Sequence, residues 1–363
     1  MKGLYVHLPF CKNKCLYCGF YSETDSYDIQ KEYFQALIAD LKSREIKDYN
    51  TLYIGGGTPS SVDMNLLAGF LDMLSVLTKG NFAESTIEAN PESISDDFLD
   101  LVHNYKFSRL SVGCQSTSDM VLKMLTRIHT SKDIFDSVEL IRKKCPDTAL
   151  NLDMIYDIPG AAFEDTFSTL KDLIKLNPEH ISAYTYSFDT SYLEDKKDES
   201  TDFMIVRERL IDAGYNKYEI SNFARSGHES LHNINYWQLG DYDGIGSSAW
   251  SLQNLPNKRI LKGKTDNIRD YIKDPLVYLA TETTDNPQTI IEELVFGLRI
   301  TDGVDLDKIC VNIDAELKDK LYNALTELKK KDLVVWNGSK VALSNSGELL
   351  LDSVQSFLWE QLP

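Results

Sequence analysis

Three cysteines stand close together near the start of the chain, in "CKNKCLYCGF" (residues 11–20): Cys11, Cys15 and Cys18, in a C-x3-C-x2-C spacing. Thiolates are ligands for soft metals and iron-sulfur clusters, and a four-iron cluster ordinarily takes one thiolate per iron. Three thiolates leave one iron open. An open coordination position is how a metal site keeps room for a second ligand, as three-ligand catalytic zinc sites show. Structural zinc, with His7 or a distant cysteine as fourth ligand, is the alternative reading. The three-and-two spacing differs from the paired C-x2-C arrangement common at such sites. The remaining cysteines, Cys114, Cys145 and Cys310, are scattered along the chain and expected to be buried thiols.

Other residues suited to holding a ligand recur at the ends of apolar runs. "LYVHL" from Leu4, "TLYIGGG" from Thr51, "STIEAN" from Ser85, "RLSVGCQS" from Arg109, "ALNLDMIY" from Ala149 and "HISAYTYSF" from His180 are rich in β-branched and aromatic residues and read as buried strands. Stretches with apolar residues three and four apart, such as "IQKEYFQALIADLKS" and "FEDTFSTLKDLIKL", lie between them and read as helices. Strand then helix, six times, predicts a parallel α/β sheet, open or closed into a partial or full barrel, with ligand groups at the C-terminal strand ends. The cysteines follow the first strand, "GGGTP" ends the second, Glu88 and Asn90 end the third, Gln115 ends the fourth and Asp153 lies in the fifth.

Each residue type suits a task. A glycine-rich turn lets backbone approach a ligand and expose N–H groups, so Gly55, Gly56 and Gly57 are candidates to pair with a carboxylate or ribose. Carboxylates such as Glu88 and Asp153 suit hydroxyl or ammonium groups, Gln115 both donates and accepts, and Arg127 suits a carboxylate.

Length and composition bound the rest. The 363 residues, 42% hydrophobic, suffice for a large α/β domain and a smaller one. A formal net charge of -18 argues against broad nucleic-acid binding. The opening "MKGLYVHLPFC" holds too short an apolar run for a signal-peptide core, and no run reaches membrane-spanning length. A cytoplasmic protein with reduced thiols is expected.

Past residue 225 the stretch "LHNINYWQLGDYDGIGSSAWS" reads as ordered loop. Three regions are expected: a core over 1–225, a connecting segment over 226–285 and a small C-terminal domain over 286–363. The last, with helices through "TIIEELVFGLR" and "DAELKDKLYNALTELKKKDLV" and a hairpin "LVVWNGSKVAL" with Asn-Gly at its turn, suggests a winged-helix-like module.

The cysteine motif, preceded by "LYVHLPF" and with Tyr17 immediately before the last cysteine, resembles the radical S-adenosylmethionine (SAM) superfamily. "GGGTPS", "EANPES", "GCQS", "LTRIH" and "NLDMIYDIPG" follow in the order found in the branch that contains the oxygen-independent coproporphyrinogen III oxidases and the related heme chaperones. The resemblance runs through nearly the whole chain. It implies a partial (β/α)6 barrel, a 4Fe-4S cluster on Cys11, Cys15 and Cys18, and SAM lined by Tyr5, Tyr17, Gly56, Gly57, Thr58, Glu88, Gln115, Arg127 and Asp153.

Within that branch the oxidases carry a further cysteine two residues after the third ligand and a longer segment before the motif. Here Phe20 occupies that place and ten residues precede Cys11, which favours the chaperones. "HNINYW" (residues 232–237) matches the HNxxYW motif that the resemblance associates with heme. An imidazole from His232 is an axial-ligand type, and Tyr236 and Trp237 offer flat apolar surface.

Trp250 stands where the family commonly has histidine, Cys114 where it has an aliphatic residue, and Asp157 where it has glycine. The resemblance implies a heme chaperone that passes heme to an acceptor such as a respiratory hemoprotein and leaves dimerisation open. A radical enzyme acting on a porphyrinogen is the alternative.

Overall fold

The structure is a computed structural model that describes residues 1–24, 27–44, 49–186, 199–311 and 313–362. Six strands, β1 (Lys2–Leu8), β2 (Thr51–Gly56), β3 (Glu84–Ala89), β4 (Arg109–Gln115), β5 (Ala149–Tyr156) and β6 (His180–Thr185), pair in sequence order, each parallel to the next. They match the six apolar runs, except that Ser187 and Phe188, at the end of the sixth, lie outside the described residues.

Between the strands run α1 (Tyr27–Lys42), α2 (Met64–Thr78), α3 (Asp96–Asn104), α4 (Asp119–Met124), α5 (Ser131–Lys144) and α6 (Phe163–Lys175). Their starts follow local chemistry. Asp63 accepts from the Asn65 and Leu66 N–H groups, Ser95 accepts from the Phe98 N–H, and Thr130 forms a capping box with Asp133.

The two-residue period of a strand sorts side chains to two faces. Leu4, Val6, Leu8, Leu52, Ile54, Leu110, Val112, Leu150 and Leu152 pack under the helices. Each such side chain contributes about 2 kcal/mol by leaving water. The alternating positions carry Tyr5, His7, Tyr53, Glu84, Thr86, Glu88, Arg109, Ser111, Asn151, Asp153, His180 and Ser182, so the other face of the sheet is polar.

The sheet extends on both sides. After α7 (Glu199–Asp212), the short strands β7 (Asn216–Lys217) and β8 (Asn222–Ala224) add antiparallel beyond β6. The stretch read as loop is instead a helix and two strands, α8 (Leu231–Trp237), β9 (Asp241–Ile245) and β10 (Trp250–Leu255). β9 lies parallel to β1 on its free side, so the parallel array continues past six.

β10, β11 (Lys258–Gly263) and, after α9 (Ile268–Lys273), β12 (Ala280–Asp285) complete a twelve-stranded sheet. The glycines of this region serve close packing. A Cβ on Gly244 would strike the Trp250 backbone, and the Trp250 ring covers Gly263 across the strand pair. The indole at the position where relatives commonly have histidine is thus a cross-strand packing group.

A second hydrophobic core, including Leu294, Leu325, Val341, Val354 and Leu358, gathers α10 (Gln288–Gly297), β13 (Val304–Asp305), α11 (Leu306–Ile309), α12 (Ala315–Lys330), β14 (Val334–Asn337), β15 (Lys340–Leu343), α13 (Asn345–Leu349) and α14 (Leu351–Gln361). Helices followed by a hairpin give the expected winged-helix-like order. Asn337 pairs with Lys340, so the turn residues are Gly338 and Ser339 rather than Asn-Gly, and Gly338 takes φ +61°. Cys114 and Cys145 are buried as expected, whereas Cys310 is only half-buried. Among the described residues no helix is long and apolar enough to cross a membrane.

Candidate functional site

The three motif cysteines lie on the loop that leaves the C-terminal end of β1, all half-buried and none in a disulfide. The loop is anchored where it begins. The Gly57 N–H donates to the Leu8 carbonyl (2.8 Å) and the Thr58 N–H to the Phe10 carbonyl (2.7 Å). A Cβ on Gly57 would sit 2.6 Å from the Phe10 nitrogen, and Gly56, at φ +109°, has the His7 ring where its own Cβ would be. The glycines therefore let the end of β2 run against the start of the cysteine loop. Their N–H groups are not free for a ligand as the sequence suggested, because that of Gly56 donates to Glu88 (3.2 Å).

One hydrogen-bond chain connects the first cysteine to the second. The Cys11 thiol lies 3.4 Å from Thr58 Oγ1, to which Asn90 Nδ2 donates (2.9 Å). Asn90 Oδ1 accepts from Arg127 Nη2 (2.7 Å), which also donates to the Gly113 carbonyl (2.6 Å). Arg127 Nη1 points at the Cys15 sulfur (3.6 Å) and the Tyr17 hydroxyl (3.3 Å). Thr126, at φ +57°, grips the same loop: its hydroxyl accepts from the Leu16 N–H (3.0 Å) and its carbonyl from Asn13 Nδ2 (2.8 Å). Sequence reasoning named Arg127 and Thr58 but gave Thr126 no part and Asn90 only a place at a strand end. Their partners are up to 113 residues away, with no local signal to mark them.

Burial raises the Cys11 and Cys18 thiols above their ordinary pKa, so protonated thiols are favoured until a metal takes the proton's place. The Arg127 guanidinium beside Cys15 offsets negative charge there. Three free thiols on one loop with a cation beneath them fit an iron-sulfur cluster, in which each thiolate meets a different iron. Among the described residues no three His, Cys, Asp or Glu side chains are gathered as ligands of a single ion.

Beneath this loop the polar face supplies carboxylates. Glu88 accepts from the Tyr53 hydroxyl (2.6 Å) and the Gly56 N–H, and burial pushes its carboxyl up to about 7. Asp153 accepts from Asn151 Nδ2 (2.7 Å) and Ser111 Oγ (3.2 Å), and burial raises it too. The Tyr5 hydroxyl meets His7 Nδ1 at 3.0 Å.

Gln115 stands at φ +67°, with a Ser116 N–H to Cys114 carbonyl bond closing a tight γ-turn and a register shift in the strand pair. Asp157, the departure from glycine, adopts φ +57°, which explains why a residue without Cβ suits that position. The structure thus places Gly56, Gly57, Thr58, Glu88, Gln115 and Asp153 in or just after the C-terminal halves of β2 to β5, Tyr5 in the middle of β1, and Tyr17 and Arg127 on loops beside the cysteines. Donors and acceptors of the type a nucleoside and an amino-acid group require are present there.

The HNINYW residues lie elsewhere. α8 crosses the N-terminal ends of the strands, where the Glu84 carboxylate accepts from the Leu231 N–H (2.7 Å), the His232 N–H (3.0 Å) and the Ser230 hydroxyl (3.3 Å). His232 is 1% exposed. Its Nδ1 meets Thr51 Oγ1 at 2.8 Å, its ring packs against Tyr53 (5.3 Å) and Tyr236 (4.7 Å), and its Cε1 lies 3.0 Å from the place of a Gly3 Cβ. Nε2 is buried without a hydrogen-bond partner among the described residues. Burial, with the Arg109 charge adding, drives the imidazole down to about 3. Tyr236 is packed on by Tyr242 (4.6 Å), and Trp237 lies under the Arg299 guanidinium (4.2 Å) from the C-terminal region.

Trp237 Nε1, like His232 Nε2, is buried without a hydrogen-bond partner among the described residues, and Tyr53 and Tyr236 flank the imidazole. The motif pins α8 to the barrel floor.

Comparison with known proteins agrees with this architecture. Residues 5–173 match the Radical SAM superfamily. Over 377 residues the chain is 30% identical to the heme chaperone HemW of Bacillus subtilis, covering 98% of each. It is 34% identical over 308 residues to the heme chaperone HemW of Escherichia coli, covering 78% of this chain and 80% of that one. In three dimensions it resembles the coproporphyrinogen III oxidase HemN of Escherichia coli, described as a radical SAM enzyme, with a TM-score of 0.81 and 23% identity over 98% of this chain and 89% of the other. The chain belongs to the heme chaperone HemW family of the Radical SAM superfamily.

Proposed function

We propose that the chain is a heme chaperone that holds a 4Fe-4S cluster and SAM at the C-terminal end of its barrel, takes up heme and passes it to an acceptor hemoprotein, a respiratory one included. The observation that supports this most is likeness along the whole chain to proteins named heme chaperones, together with a three-thiol loop built into the mouth of the barrel.

Cys11, Cys15 and Cys18 would ligate the cluster, and Tyr5, Tyr17, Gly56, Gly57, Thr58, Glu88, Gln115, Arg127 and Asp153 would line SAM. A 4Fe-4S cluster held by Cys11, Cys15 and Cys18 would keep one iron open for SAM and, when reduced, would supply an electron to it. The chain's own part is positional. Thr58, Asn90 and Arg127 hold two of the thiols in place, and Thr126 fixes the backbone between Asn13 and Leu16. Glu88, whose carboxyl titrates near neutrality, can accept a proton or a hydroxyl hydrogen at the Tyr53–Gly56 cradle.

The test is an anaerobic hemin titration of the cluster-reconstituted chain, followed by mixing with an apo-hemoprotein. Saturable binding and transfer of the heme absorbance to the acceptor are expected. An absence of saturable binding, with 5′-deoxyadenosine formed in the presence of a porphyrinogen, would replace the chaperone with the radical enzyme.

A further inference from the structure

Arg109, the first residue of β4, lies on the polar face of the sheet and is only 4% exposed. Its Nε and Nη1 have no hydrogen-bond partner among the described residues, and Nη2 has one long contact, to His180 Nδ1 at 3.4 Å. The carboxylates whose charge reaches it, Glu84 and Asp153, are committed to other donors. Glu84 accepts from Ser230, Leu231 and His232, and Asp153 accepts from Asn151 and Ser111. A buried guanidinium so placed is short of both acceptors and a counter-ion.

The residues beside it share that shortage. Across the sheet Arg109 pairs with Thr86 of β3, and Thr86 with Tyr53 of β2. Thr86 Oγ1 is buried without a partner among the described residues, as is Nε2 of His232, whose ring packs against Tyr53. The same face is more open towards the mouth, where Glu88 and Asp153 are half-buried and Tyr184 of β6 is 41% exposed. Arg109 stands six residues before Gln115 on the same strand, about 20 Å towards the floor.

We propose that Arg109, with the Thr86 hydroxyl as a further donor, receives a carboxylate of a ligand held inside the barrel, and that this carboxylate is a heme propionate. The inference rests on the chaperone reading and adds to it the residue that grips the acid group. The planar N–H fork of a guanidinium matches a carboxylate in both shape and charge. Water would satisfy the orphaned donors, whereas a carboxylate satisfies them and pairs the charge as well.

The experiment is the anaerobic titration of the cluster-reconstituted full chain with hemin and with hemin dimethyl ester, in which both propionates are capped. The wild type should bind hemin at least tenfold more tightly than the ester. Equal affinities would overturn the pairing without recourse to a variant.

Arg109→Gln should remove that preference by weakening hemin at least tenfold while leaving the ester unaffected. Arg109→Lys, which keeps the charge in a slimmer side chain, should retain part of the preference. A preference that survives in Arg109→Gln, or an equal loss of both porphyrins in both variants, would make Arg109 a structural residue alone and overturn the proposal while leaving the chaperone reading intact. Wild-type chain that binds neither porphyrin would sink the chaperone reading, and the propionate pairing with it.

Discussion

At the C-terminal ends of the strands, Asn90 and Arg127 hold a loop whose cysteines stay half-exposed; at the N-terminal ends, Glu84 and Thr51 hold a helix whose histidine is sealed. Both ends draw on the same polar sheet face. The difference lies in what is left unfinished. At the mouth Cys11 and Cys15 have only long contacts to Thr58 Oγ1 (3.4 Å) and Arg127 Nη1 (3.6 Å) on a half-exposed loop. At the floor His232 Nε2 and Trp237 Nε1 are enclosed without a hydrogen-bond partner among the described residues. The two motifs thus differ in depth, and burial rather than residue type makes the difference.

The sharpest way to break this comparison is Cys15→Ala. Iron and sulfide content of the reconstituted protein should fall to background while the urea midpoint stays near that of the wild type, since the loop contributes little to either core. Retained iron and sulfide would remove the cluster from this loop.

A smaller effect of opposite character is expected at the floor. His232→Ala empties a packed site between Tyr53 and Tyr236 and should cost about 3 kcal/mol in urea denaturation, and saturable hemin binding through the imidazole should be lost with it. An unchanged hemin affinity in the destabilised variant would make His232 a packing group alone.

The pH dependence refines the contrast further. The Glu88 carboxyl is raised from 4.5 to about 7, so the folded chain favours its neutral form. Its contribution to stability is whole below about pH 4.5 and is lost as pH rises through about 7. With its partial exposure taken into account, the difference is about 2 kcal/mol. His232, lowered from 6.5 to about 3, contributes fully above pH 6.5 and loses that contribution as pH falls. Urea denaturation of the cofactor-free wild type and Glu88→Gln between pH 5 and 8 should show the wild-type advantage shrinking as pH rises; a flat difference would mean that Glu88 is ionised throughout.

Much of this was legible from the sequence. The six parallel strands were visible because each is a short run of β-branched and aromatic residues buried on at least one side, and the cysteine spacing announced itself. Three things were hidden for physical reasons. α8 spans only seven residues, too few for a helical period to emerge from a glycine- and asparagine-rich neighbourhood. The glycine turn looked like a ligand cradle, whereas its N–H groups are used to fix the cysteine loop and Glu88. Depth is the third: nothing in the letters HNINYW says that the histidine is wedged against Gly3 and Thr51.

The seating of α8 has a corollary for folding. Glu84 opens β3, and the Leu231 N–H from which it accepts lies 147 residues further along the chain. The carboxylate at the start of β3 gains these partners only once α8 has docked, so the floor is expected to close after the parallel strands have paired.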